Sequence, residues 1–82
     1  MTREDLRSAA HDLDVTVWVG KSGIDPVVSE LNDQLSDRNL VKVRFHRSSL
    51  GGTTAEDLAM ELAGRVEADV VDTRGRTAVL HR

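Results

Sequence analysis

The run Val15-Thr16-Val17-Trp18-Val19-Gly20-Lys21-Ser22-Gly23-Ile24-Asp25-Pro26-Val27-Val28 decides the fold. Val15, Val17 and Val19 alternate with Thr16 and Trp18, the two-residue period of a strand with one apolar face. A Gly-x-x-Gly turn interrupts it, and a helix start follows. Asp25 has the side chain of an N-cap, and Pro26 stands at the first helical position, where its missing N–H costs nothing. Strand end, glycine turn and helix N-terminus therefore meet at one corner. Gly20 and Gly23 leave the backbone there unshielded, Lys21 adds a positive charge, and the helix end adds a partial one. Such a corner suits a phosphate group.

Three uses of the corner compete. A nucleotide-triphosphate P-loop requires a glycine five positions before the glycine that precedes the lysine, and Val15 occupies that place. An ordinary strand-to-helix turn would use glycine only for its backbone freedom. A nucleic-acid backbone clamp is the use that KH-type RNA-binding modules make of a Gly-x-x-Gly loop. The turn alone does not choose among them.

Working outward, Leu40 to Arg47 alternates again: Val41, Val43 and Phe45 would face a core, while Lys42, Arg44 and His46 point away and form a basic stripe. Asp25 to about Asp37 places Val27, Val28, Leu31 and Leu35 on one helical stripe. Thr2 to Leu13 does the same with Leu6, Ala9, Ala10 and Leu13, capped by Thr2. Ser48-Ser49-Leu50-Gly51-Gly52 has the composition of a mobile loop. A third long helix follows, capped by Thr53 or Thr54 with Glu56 or Asp57 three residues on, and carrying Leu58, Ala59, Leu62, Ala63 and Val66. Asp69 to Thr73 and Arg76 to His81 read as strands of a hairpin around Arg74-Gly75.

The expected fold is a single compact α/β domain over 1–82, in the order α-β-α-β-α-β-β, with a four-stranded mixed sheet. Right-handed crossovers would set the helices on one side. The first helix could join them, and the opposite face would then present Trp18, Lys42, Arg44 and His46 uncovered.

A domain of 82 residues has little room for a deep pocket, and no nucleophile, base and orienting residue cluster at useful spacing, which counts against an enzyme. The chain has no cysteine, and His11, His46 and His81 lack ligand spacing, so neither a metal nor another cofactor is expected. No apolar stretch is long enough for a signal peptide or a membrane span, and the reading is a cytoplasmic protein without membrane contact.

The net charge of −3 conceals a segregation. Residues 1–41 hold eight acids and four bases, a balance of −4, and residues 42–82 hold six acids and seven bases, a balance of +1. Eleven of the fourteen acids fall in or beside the expected helices, whereas seven of the eleven bases (Lys21, Lys42, Arg44, Arg47, Arg74, Arg76 and Arg82) fall in strands or loops. Local field then matters more than net charge for a polyanionic partner. Nine Arg against two Lys, with nine Asp against five Glu, fits either a salt-loving organism or a genome rich in G and C.

Several segments together resemble the YhbY-like single CRM domains (chloroplast RNA splicing and ribosome maturation). They are Leu6-Arg7 with Ala10-His11-Asp12-Leu13; Val19-Gly20-Lys21-Ser22-Gly23-Ile24 with Val28 and Glu30-Leu31; Leu40-Val41-Lys42-Val43-Arg44; and Gly75-Arg76-Thr77-Ala78-Val79-Leu80-His81-Arg82. They span nearly the whole chain in the family's order. Asp14 departs from the proline of many members, Asp25 from the usual Thr or Ser, and His81 from the typical tyrosine.

The resemblance implies a fold similar to the C-terminal domain of bacterial translation initiation factor three. It also implies binding of structured RNA, specifically ribosomal RNA or a precursor of the large subunit; the domain itself is expected to be a monomer. The family's Gly-x-x-Gly loop maps onto Gly20, Lys21, Ser22 and Gly23, and its basic positions onto Lys42 and Arg44. The hairpin arginines Arg74 and Arg76 would extend the track. Two other classes stay open: an Alba-like protein that coats DNA or RNA, and a protein-interaction adaptor docking a partner through the sheet face at Trp18.

Overall fold

A computed structural model describes residues 2–82; Met1, the first residue of the expected 1–82 domain, lies outside them. Helix α1 (Arg3–His11) opens on a capping box in which the Thr2 hydroxyl accepts from the Asp5 N–H and the Asp5 carboxylate accepts from the Thr2 N–H. Strand β1 (Val15–Val19) leads through the glycine turn into a 3-10 turn (Asp25–Val27) and helix α2 (Val28–Asp37). Strand β2 (Leu40–Phe45) is followed by a one-turn helix α3 (Arg47–Leu50), helix α4 (Ala55–Arg65) and the hairpin of β3 (Asp69–Arg74) and β4 (Thr77–His81).

The four strands form one mixed sheet in the order β1-β2-β4-β3. β1 and β2 are parallel, as a crossover through α2 requires, and the remaining pairs are antiparallel. The β1–β2 register slips between Val15 and Val17, and Gln34 of α2 serves the irregular edge. Its amide donates to the Thr16 carbonyl at 3.2 Å, and its carbonyl accepts the Thr16 hydroxyl at 2.5 Å.

Alternation sends Val17, Val19, Val41, Val43, Phe45, Ala78 and Leu80 to one face of the sheet, where Leu31 and Leu35 of α2 and Ala59, Leu62 and Ala63 of α4 complete the main core. Among the described residues no polar or charged side chain is buried. Alanines on α4 let its backbone approach the sheet closely, and Thr54 caps it by accepting from the Asp57 N–H at 3.1 Å.

The helices do not all lie on one side. α1 packs on the second face, where Ala10 joins Leu40, Val71 and Val79, flanked by Leu6, Ala9 and Leu13. The expectation that the face opposite the helices stands uncovered is thus corrected. Three strands each contribute an apolar residue to that face, and together they make a strip that the apolar stripe of α1 removes from water. Only the end near β1 and the C-terminal half of β2 stays open.

Two further expectations change. Asp25 makes no cap: Ile24 takes the N-cap position of the 3-10 turn without a side-chain bond, and Asp25 is the first residue of that turn beside Pro26. Its carboxylate instead accepts from Arg65 Nη1 at 2.7 Å. The segment after Phe45 is not simply a loop, because His46 Nδ1 accepts the Ser48 N–H at 3.2 Å and caps α3 before Gly51 ends it at φ +43°.

Candidate nucleic-acid interface

Three connections leave the same end of the sheet. β1 and β2 are parallel, so the Gly20–Gly23 turn and the His46–Leu50 segment follow neighbouring strand ends, tied by the His46 N–H donating to the Val19 carbonyl at 2.8 Å. β4 runs antiparallel to β2, which brings the hairpin turn to that end too; the Phe45 N–H donates to the Arg76 carbonyl at 2.7 Å. This hairpin turn is Gly75-Arg76, one residue later than the expected Arg74-Gly75.

Within the glycine turn the Gly23 N–H donates to the Gly20 carbonyl at 3.0 Å, leaving Lys21 and Ser22 exposed at its tip. Gly23 adopts φ +82°, a conformation that needs glycine. Gly20 has no such need: its φ is not positive, and a Cβ built there meets nothing within 4 Å. The chain's own packing therefore does not call for a glycine at position 20.

The cations divide into two sets. Lys21, Arg44 and Arg47 are exposed, and Arg76 is half-buried; among the described residues none of the four has a carboxylate within salt-bridge range. Arg44 shares the open strand face with Trp18, its register partner on β1. Lys42 and Arg74 are held differently. Lys42 is half-buried, and its ammonium donates to the Leu13 carbonyl at 3.4 Å, behind α1. Arg74 lies 3.9 Å from the Asp72 carboxylate and donates to His11 Nε2 at 3.4 Å. Of the sequence-identified residues, Gly20, Lys21, Ser22, Gly23, Arg44 and Arg76 thus gather at one end, while Lys42 and Arg74 turn toward α1.

Arg47 and His46 belong to the same end. Arg47 ends the Leu40–Arg47 alternation, on the parity of Val43 and Phe45; the His46 cap that turns the chain into α3 there is a contact two residues long with no periodicity to betray it. Among the described residues no group of three or more His, Asp or Glu side chains is placed to hold a metal ion, and no helix is long and apolar enough to cross a membrane.

Residues 1–82 match the model of the CRS1/YhbY (CRM) domain along their whole length. The chain belongs to the CRS1/YhbY family. It is 38% identical over 77 residues to a protein of Methanocaldococcus jannaschii named "Probable RNA-binding protein MJ0652", a match covering 94% of this chain and 58% of that one. The chain thus spans little more than half the length of that curated relative. The solution structure of the hypothetical protein SAV1595 of Staphylococcus aureus, described as an RNA-binding candidate, superposes with a TM-score of 0.81 at 28% identity. That similarity covers 98% of this chain and 82% of the other, so the CRM fold extends through every element described above.

Proposed function

We propose that this CRM domain binds structured RNA without catalysing a reaction on it, and that its target is precursor ribosomal RNA during assembly of the large subunit. The observation that carries the reading is the side-chain-free approach at Gly20, next to exposed Lys21 and at the sheet end where Arg44, Arg47 and Arg76 have no carboxylate partner among the described residues. A phosphate entering there meets backbone N–H groups and a point charge, and the arginines extend the contact along the strand. Recognition is mainly of shape and backbone, since the chain has one Trp, one Phe and no Tyr, and Phe45 is buried. A monomer in the cytoplasm suffices for this role.

The test uses two substitutions that the fold accommodates. Gly20→Ala places a methyl group where the phosphate would come closest, and Lys21→Glu reverses the adjacent charge. Each should weaken binding of a structured ribosomal RNA fragment by at least about fivefold, the scale of one charge-assisted contact, in a filter or anisotropy assay. Circular dichroism and melting temperature should stay as in the wild type. Unchanged affinity in both variants would remove the turn from the interface, and equal affinity for duplex DNA would favour a coating protein instead.

A further inference from the structure

We infer that Trp18, Arg44 and His46 frame a pocket for one unpaired nucleobase of the bound RNA, with guanine preferred over adenine; this rests on the RNA-binding reading above. Trp18 lies on an edge strand between the core positions Val17 and Val19, yet it is 61% exposed. Burial of a tryptophan is among the largest apolar gains a small domain can make, and here the ring is left in water. α1 covers the far part of this sheet face and stops short of it.

Beside the ring is a concavity of about 230 Å³ lined by Trp18, Val19, Gly20, Arg44 and His46. Its volume falls below the ~300–1,000 Å³ of pockets that enclose a drug-sized ligand, which suits a single planar group. Gly20 is shared with the phosphate corner, so a nucleotide whose phosphate sits on the turn has its base within reach of the indole. A tryptophan face stacks any base.

The polar walls add a selection. Arg44 carries only donors, and no carboxylate lies within salt-bridge range of it among the described residues. His46 Nδ1 accepts the Ser48 N–H, which leaves the proton of the neutral ring on Nε2 and makes that nitrogen a donor too. A pocket with donors on both walls favours a base edge made of acceptors. Guanine offers N7 and O6, the pair that arginine grips bidentately, whereas adenine sets an amino donor beside N7.

The experiment uses the whole chain and three RNA hairpins identical except for one position: fully paired, with a single bulged guanosine, or with a single bulged adenosine. Trp18 is the sole tryptophan, so its fluorescence reports the pocket directly. The bulged guanosine hairpin should bind best and quench that fluorescence. Trp18→Leu should lower its affinity about tenfold, the scale of one lost base stack, and leave the fully paired hairpin within about twofold. Trp18→Phe should retain most of the affinity, and Arg44→Lys should bring guanosine and adenosine hairpins together while keeping the charge. If Trp18→Leu weakens none of the hairpins while Lys21→Glu weakens all of them, the base pocket is overturned and the RNA interface stands. If no hairpin binds the wild-type chain, both readings fall together.

Discussion

The ammonium of Lys42 reaches the carbonyl of Leu13 across 29 positions of chain, at 3.4 Å. Strand alternation alone sends Lys42 and Arg44 to the same face with the same apparent freedom. The contact separates them: Lys42 ties the end of α1 to the sheet, and Arg44 faces solvent. Lys42→Ala should therefore act on stability, lowering it by about 1 kcal/mol, the net scale of an ordinary hydrogen bond, which suits a charged one this long, and the midpoint of thermal unfolding by roughly 4–8 °C. Arg44→Ala should leave the melt unchanged and weaken RNA binding more than Lys42→Ala does. A larger binding loss in Lys42→Ala, with an unaltered melt, would place Lys42 in the interface after all.

Salt dependence separates the cations at the sheet end from those elsewhere. Each phosphate contact contributes about one unit to the slope of log K against log salt concentration. Lys21→Ala and Arg47→Ala should each make that slope shallower by about one. Arg65→Ala should not alter it, because Arg65 is engaged with Asp25 on the helix side of the sheet. Binding isotherms at four or five salt concentrations give the answer.

The Arg65–Asp25 pair itself has little to offer stability. At 2.7 Å its geometry is good, but the side chains are 45% and 78% exposed, and water screens them. A double-mutant cycle should return a coupling below about 1 kcal/mol that shrinks further as salt is raised. A coupling well above that figure would mean the pair orders the turn into α2.

Glu67 is the one non-glycine residue with positive φ among those described, at +54°. It stands just past the end of α4, where the Ala68 N–H returns to the Ala63 carbonyl at 2.9 Å, the closing bond of a motif that normally places glycine at this position. Glu67→Gly removes the left-handed strain, offset in part by a more flexible unfolded chain. The variant should gain about 0.5–1 kcal/mol, seen as a higher denaturation midpoint with an unchanged slope.

Much of this architecture is legible in the residues themselves. The alternation of Val15 to Val19 and of Val41 to Phe45 specifies both parallel strands and their inner faces, and the stripes of Leu31 and Leu35 and of Ala59, Leu62 and Ala63 specify the helices over them. The seat of α1 was not legible, because Leu40, Val71 and Val79 stand on three different strands and become one strip only after strand order is known. Asp25 reads as a cap, but a 3-10 turn places it one step too far in, and its partner lies 40 residues away. At the site, the glycine turn with Lys21 and Arg44 stands out in the sequence. Arg47 does not, since a one-turn helix held by a histidine cap has no pattern to detect.

Six carboxylates, Glu30, Asp33, Asp37, Glu56, Asp57 and Glu61, are exposed on α2 and α4, against the single cation Arg65 in those two helices. In the proposed RNA-binding role, a molecule so divided would arrive at the polyanion already aimed, with its carboxylate-bearing helices turned away. For the next copy along the same strand, the seated one would then be a hedge of like charge. A domain acting in that way would mark individual sites sparsely rather than build a sheath.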